Sequence, residues 1–210
     1  MLDFKISRRT FSSALLLPAL AVGVTQAHAA ATVGQAAPDF TATDALGKTH
    51  KLSDFKGKHV VLEWTNPGCP FVVKHYSGNM QALQKEFTAK GVVWLSVNST
   101  SKDAYDYLPP AKLMAWKADK KANATAMLMD ESGKIGQLYS AKTTPHMYII
   151  NPQGMLVYAG AIDSIPSARV DDIKTATNYV RQGLNEALGG KAISTPSTRA
   201  YGCSVKYKDA

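Results

Sequence analysis

Cys69 and Cys203 are the residues whose chemistry most needs explaining, because two cysteines in 210 residues are too few for a disulfide framework. Cys69 stands in the run Val60-Val61-Leu62-Glu63-Trp64-Thr65-Asn66-Pro67-Gly68-Cys69-Pro70-Phe71-Val72. The apolar stretch from Val60 to Trp64 reads as a buried strand, Asn66-Pro67-Gly68 as a turn, and Pro70 suits the first turn of a helix. The sulfur is then expected at a helix N-terminus, where free backbone N–H groups favour thiolate, the reactive form. A redox thiol is the leading reading of Cys69. Cys203 lies in Thr198-Arg199-Ala200-Tyr201-Gly202-Cys203-Ser204-Val205-Lys206-Tyr207, after a stretch rich in Gly, Ser, Thr and Pro. It reads as a tail folding back over a domain, which suits a partner for Cys69.

Residues 1–29 read as an address rather than as part of the fold. Lys5, Arg8 and Arg9 precede an apolar run from Ala14 to Val24, and Ala27-His28-Ala29 gives an A-x-A cleavage signal. The run falls short of the ~20 apolar residues that span a bilayer, and Pro18 and Gly23 interrupt it, which argues against a membrane anchor. Ser7-Arg8-Arg9-Thr10-Phe11 matches a twin-arginine export signal. The expected location is the bacterial periplasm, an oxidising compartment where a Cys69–Cys203 disulfide is permitted.

Residues 30–190 are expected to form one domain, with 191–210 as the tail carrying Cys203. The chain's hydrophobic content of 45% is enough for a sizeable core. Removing the leader brings the net charge from +8 to +6. That excess is scattered: Lys117, Lys120 and Lys121 have no interleaved aromatics and read as a solvated helix face, not a nucleic-acid site.

The elements that position the cysteines follow from periodicity and turn residues. Phe40 to Leu52, around Ala45-Leu46-Gly47-Lys48, reads as an N-terminal hairpin. Apolar groups at Phe71, Val72, Tyr76, Met80, Leu83 and Phe87 predict one amphipathic helix from Phe71 to Ala89, ended by Gly91. Val92 to Val97 reads as a second buried strand. Asp103 to Ala124 reads as mainly helical with a break at Pro109-Pro110, Met127-Leu128-Met129 as a short strand, and a short helix is expected up to Tyr139. His146 to Asn151 and Met155 to Ala159 are strands joined by Asn151-Pro152-Gln153-Gly154, and Ala168 to Leu188 is a closing helix.

This order predicts an α/β fold, a central mixed sheet flanked by helices, in the thioredoxin arrangement. Thr143-Thr144-Pro145, directly before a strand, supports it: Pro145 is a candidate cis-proline, expected to turn the chain toward the active thiol. The chain resembles the redoxin branch of the thioredoxin superfamily, the alkyl hydroperoxide reductase and thiol-specific antioxidant group, over about residues 33 to 165. The resemblance rests on Val33-Gly34-Gln35-Ala36-Ala37-Pro38-Asp39-Phe40, on Gly68-Cys69-Pro70-Phe71-Val72 and on Thr144-Pro145. It is most similar to peroxiredoxin-like proteins with N-H-C-P-F-V-K and a terminal G-C-S-I-K-W, matched here by Gly202-Cys203-Ser204-Val205-Lys206-Tyr207.

The departures shape the chemistry. Thioredoxins carry C-x-x-C and peroxiredoxins T-x-x-C, whereas this chain has Asn66-Pro67-Gly68-Cys69. Cys69 has no neighbouring thiol, so it must be resolved by Cys203, an external thiol or another chain. The resemblance implies that Cys69 attacks a peroxide or a disulfide, that Cys203 resolves the product, and that an external periplasmic thiol reduces the resulting disulfide, with no cofactor. Trp64, Asn66, Pro67, Gly68, Pro70, Thr144 and Pro145 are the expected site-shaping residues, with Trp64 beside the thiol, Asn66 donating to a substrate oxygen and the Thr144 backbone free to bond an extended peptide.

Two other readings stay open. A static Cys69–Cys203 bridge would tie the tail down, closing a long loop for roughly 4–5 kcal/mol on the chain-entropy account. A copper carrier would use Cys69, His146 and Cys203; Met127 and Met129 read as sheet core, with thioether ligation of copper as the alternative. Lys74 and His75 read as exposed helix residues.

Overall fold

The protein is described by a computed structural model covering residue 1 and residues 30–208. The expected signal peptide, its cleavage site and the twin-arginine motif fall in residues 2–29 and lie outside the described residues.

The chain opens with a hairpin of β1 (Thr41–Asp44) and β2 (Thr49–Lys51). Asp44 fixes its turn, with Oδ1 accepting from the Leu46 and Lys48 backbone N–H groups at 2.9 Å each. Then follow β3 (Val60–Trp64), α1 (Pro70–His75), α2 (Asn79–Ala89) and β4 (Val93–Asn98). Next come α3 (Pro110–Asp119), β5 (Ala126–Met129) and α4 (Lys134–Leu138). The chain closes with β6 (Thr143–Thr144), β7 (His146–Ile150), β8 (Leu156–Gly160), α5 (Tyr179–Leu188) and β9 (Cys203–Ser204).

Seven strands form one mixed sheet in the order β2-β1-β5-β4-β3-β7-β8, while β6 and β9 make a separate two-stranded ribbon. β3, β4 and β5 run parallel, as crossover helices require, and β7 and β8 form the antiparallel hairpin expected from Asn151-Pro152-Gln153-Gly154. β3 and β4 are buried along their whole length, which is why both read as unbroken apolar runs. This is the expected thioredoxin-like α/β arrangement. No helix among the described residues is long and apolar enough to cross a membrane.

Three predicted helices are shorter than their periodicity suggested. The run from Phe71 to Ala89 is two helices, broken at Gly78, whose φ of 135° is closed to an ordinary helical residue. Ser77 Oγ donates to the Lys74 carbonyl at 2.7 Å and helps end α1. Between Asp103 and Ala124 only Pro110–Asp119 is α-helical, because Pro109 and Pro110 admit a helix only at its start. The closing helix begins at Tyr179, where Asn178 Oδ1 caps it by accepting from the Arg181 N–H at 2.9 Å; the 3-10 segment Val170–Lys174 takes up part of the expected length before it.

The sheet separates two apolar layers. Val60, Leu62 and Trp64 pack on one face with Phe40, Leu95, Tyr139 and Tyr148. Val61 faces the other layer with Cys69, Val72, Met80, Leu83, Phe87 and Met147. Glu63, on β3 between these layers, is fully buried. It accepts from Trp94 Nε1 at 2.7 Å, Tyr76 Oη at 2.7 Å, Ser96 Oγ at 3.0 Å and Gln84 Nε2 at 3.1 Å. Burial pushes its pKa up and these donors push it back only in part. Glu63→Ala removes the shared acceptor of four buried groups and is expected to cost roughly 3 kcal/mol or more in urea unfolding, clearly more than the volume-conserving Glu63→Gln. Equal losses in the two variants would contradict the network's role.

Candidate active site

β3 delivers the chain to a loop whose geometry is set by Asn66. The Asn66 carbonyl accepts from the Cys69 N–H at 3.0 Å, and its Oδ1 accepts from the Gly68 N–H at 2.8 Å. Its Nδ2 donates to Asp106 Oδ2 at 2.9 Å. The side chain is thus engaged at both ends in holding the loop, which corrects the expectation that its amide addresses a substrate oxygen. Pro67 and Gly68 form the turn and Pro70 begins α1, with Cys69 as the residue that precedes the helix. Cys69 is only 2% exposed.

The Cys69 thiol donates to the carbonyl of Thr144 at 3.0 Å. Thr144 precedes Pro145, and the peptide bond between them is cis, as the sequence suggested. Thr144 is also the residue that pairs with Cys203 in the antiparallel β6–β9 ribbon, with Thr143 opposite Ser204. The approach is close: a Cβ on Gly202 would lie 2.0 Å from the Thr144 oxygen, and the residue's φ is 138°. The two cysteines therefore meet across one residue, both as free thiols. Burial pushes the Cys203 thiol's pKa up to about 12, helped by its hydrogen bond to Cys69. The backbone edge expected to be free for a peptide is already occupied by the tail.

Lys74 and His75, expected at the surface, are 1% and 0% exposed. Lys74 Nζ lies 3.3 Å from Asp163 Oδ2 and donates to the Ile165 carbonyl at 3.1 Å. The Tyr201 hydroxyl donates to Asp163 Oδ1, and His75 Nε2 lies 3.2 Å from the same hydroxyl. His75 Nδ1 is 2.8 Å from Asn79 Nδ2. Burial lowers the His75 pKa to about 4, so at neutral pH the ring is uncharged. With Nδ1 accepting from Asn79, its proton sits on Nε2 and points at Tyr201. Tyr201 also packs edge-on against Phe71 with ring centroids 5.8 Å apart. These contacts fix the tail two residues before Cys203.

Trp64 is not beside the thiol. Alternation along β3 turns its ring to the opposite face, where it packs on Tyr139 and Tyr148 and donates from Nε1 to Ser99 Oγ at 3.0 Å. His146 likewise faces away, its ring against Tyr148 with Nδ1 3.1 Å from that hydroxyl. Cys69, His146 and Cys203 thus do not converge, and among the described residues no group of three His, Cys, Asp or Glu side chains is placed to hold a metal ion. Met127 is a core residue. Sequence reasoning missed Asp106, Asp163 and Tyr201. The one local signal was an aromatic two positions before a cysteine.

A family model described as the AhpC/TSA family matches residues 33–159. The chain belongs to the AhpC/TSA family. Among curated relatives, it is 30% identical over 128 residues to the thiol-disulfide oxidoreductase ResA of Geobacillus kaustophilus, spanning 55% of this chain and 73% of that one. It is 31% identical over 123 residues to the thioredoxin-like protein YneN of Bacillus subtilis, spanning 59% and 68%. Among solved structures, a hypothetical protein of Sinorhizobium meliloti superposes with a TM-score of 0.76 at 23% identity, covering 87% of this chain and 98% of its own, which shows the shared fold. This AhpC/TSA chain is an oxidoreductase of the thioredoxin-like class.

Burial, with Lys142 nearby, also lowers the His146 pKa to about 4. A histidine whose folded pKa lies below its unfolded value of 6.5 contributes stability that is full above pH 6.5 and is lost as pH falls toward 4. Glu63 acts in the opposite sense, since a raised carboxyl pKa becomes less of a burden as pH falls, so a variant comparison isolates the histidine. Between about pH 7 and pH 4.5 the wild-type protein is expected to lose roughly 2–3 kcal/mol more than His146→Gln in urea unfolding. Identical losses would contradict the assignment.

Proposed function

We propose that this protein is an exported two-cysteine thiol oxidoreductase in which Cys69 attacks and Cys203, in the same chain, resolves. The observation that carries the reading is the meeting of the two cysteines at Thr144: its carbonyl accepts from the Cys69 thiol and its backbone pairs with Cys203. The raised pKa of Cys203 supports the order of events, since a thiol that keeps its proton is the poorer nucleophile and acts second.

In the first step the Cys69 sulfur displaces one half of the substrate. From a hydroperoxide it takes an oxygen, becoming a sulfenic acid and releasing water or an alcohol. From a disulfide it takes one sulfur, forming a mixed disulfide and releasing a thiol. Cys203 then attacks the Cys69 sulfur, forming the Cys69–Cys203 disulfide while its proton goes to the departing oxygen or sulfur. Two electrons and two protons from an external periplasmic thiol donor restore both thiols. The thiol-disulfide oxidoreductase named among the relatives supports the exchange branch. No step calls for a cofactor. Asn66, Pro67, Gly68 and Pro70 shape the loop around Cys69, and Thr144 and Pro145 shape the face opposite. The leader of residues 1–29, with its Arg8-Arg9 pair, supports export by the twin-arginine route to an oxidising compartment.

The test treats reduced mature protein with stoichiometric hydrogen peroxide or a small disulfide and maps the products by mass spectrometry. Expected are an intrachain Cys69–Cys203 disulfide in the wild type, a trapped sulfenic acid or mixed disulfide on Cys69 in Cys203→Ser, and an unreactive Cys69→Ser. A Cys203 that is modified equally well in Cys69→Ser, or a disulfide that no thiol donor reduces in the folded protein, would instead indicate a static tether.

A further inference from the structure

We propose that β9 is an internal occupant of the substrate edge, a strap that must leave Thr143–Thr144 before an extended polypeptide disulfide can react with Cys69. The proposal rests on the reading of Cys69 as the attacking sulfur. β9 itself shows how an extended chain delivers a sulfur to Cys69: paired antiparallel to β6, it sets a cysteine directly opposite Thr144, the residue whose carbonyl accepts from the Cys69 thiol. A second extended chain gains the same backbone bonds and the same sulfur position only by taking the place of β9. With the strap in place Cys69 is almost wholly buried, while the flanking Gly68 and Pro70 are exposed, so the loop is within reach of solvent although the sulfur is not.

The strap is built to hold and to open. The β6–β9 ribbon is two residues long, too short to persist on its own pairing. It is latched on both sides. Upstream, Tyr201 donates to Asp163 beside Lys74 and His75, and Thr198 Oγ1 accepts from the Ala161 N–H at 2.9 Å. Downstream, the Val205 N–H donates to the Lys142 carbonyl at 3.1 Å and the Tyr207 hydroxyl to the Ala141 carbonyl at 2.6 Å. Lys74 and His75 lie on α1, the helix that Cys69 precedes, so the element that presents the attacking sulfur also grips the strap.

The consequence for the chemistry is specific to large substrates. When a peptide disulfide displaces β9, the Cys69 sulfur bonds to one peptide sulfur and the other leaves as a thiolate. Cys203 has moved away with the strap, so the mixed disulfide persists until β9 returns and its thiol attacks the Cys69 sulfur, expelling the peptide as a thiol. A small disulfide needs β9 to part only far enough to bare the Cys69 sulfur, so Cys203 stays at hand and resolves it at once. The strap therefore disfavours extended proteins, and their mixed disulfides outlast those of small substrates because resolution waits for β9 to return.

The test uses the reduced, full mature chain with two probes carrying the same chromophoric thiol in mixed disulfide linkage. One is free cysteine and the other is an extended peptide with one central cysteine; chromophore release reports the first attack. Two variants loosen the strap by different means: Tyr201→Phe removes the hydroxyl but keeps the ring on Phe71, and Gly202→Ala places a methyl against the Thr144 oxygen. Each is expected to speed release from the peptide by about tenfold, with a much smaller effect on the cysteine probe, and to prolong the peptide mixed disulfide seen by mass spectrometry. A peptide that reacts with the wild type as fast as the cysteine probe and gains nothing from either variant overturns the strap. Silence of both probes in all three proteins overturns the reading of Cys69 itself, and the strap with it.

Discussion

The carbonyl oxygen of Thr144 is the point on which the site depends. It accepts the Cys69 thiol from one side, and its own strand pairs with Cys203 on the other. A cysteine at the start of a helix and a cysteine in a tail are separately unremarkable. Joined through one backbone residue held before a cis-proline, they become neighbours, and the proposed order of reaction rests on that placement. The Gly202 backbone makes this approach possible, because any side chain there would meet the Thr144 oxygen.

The cost of burying charged groups in such a place is offset by pairing them. Lys74, His75, Asp163 and Tyr201 enter the protein together, each with a partner, and so do Glu63 and its four donors. The two networks have different work. Glu63 ties β3 to β4 and to the helices behind Cys69, keeping the strand that carries the loop in register. Asp163 joins α1 to the tail, so that the positions of Cys69 and Cys203 are set by one buried group.

Much of this was legible in the sequence and some of it could not be. The buried strands β3 and β4, both hairpins and the turn before Cys69 are written in local apolar runs and turn residues, and they appear where expected. The break at Gly78 was hidden because Tyr76, Met80, Leu83 and Phe87 all enter the core on either side of it, so the helical period continues through the break. Lys74 and His75 were misread because their partners are distant: Asp163 lies 89 positions beyond Lys74 and Tyr201 lies 126 beyond His75. A charge on an amphipathic helix reads as solvated until its partner is known. Trp64 was misplaced for a simpler reason, since alternation along β3 puts it on the face away from Cys69.

The central claim is that resolution occurs within one chain. The most direct measurement is the rate at which the oxidised Cys69 intermediate becomes the Cys69–Cys203 disulfide, followed by rapid quench across a wide range of protein concentration. A rate that does not change with concentration, giving only monomeric disulfide, is the predicted result. A rate that rises in proportion to concentration, or disulfide-linked pairs of chains as the main product, would contradict it.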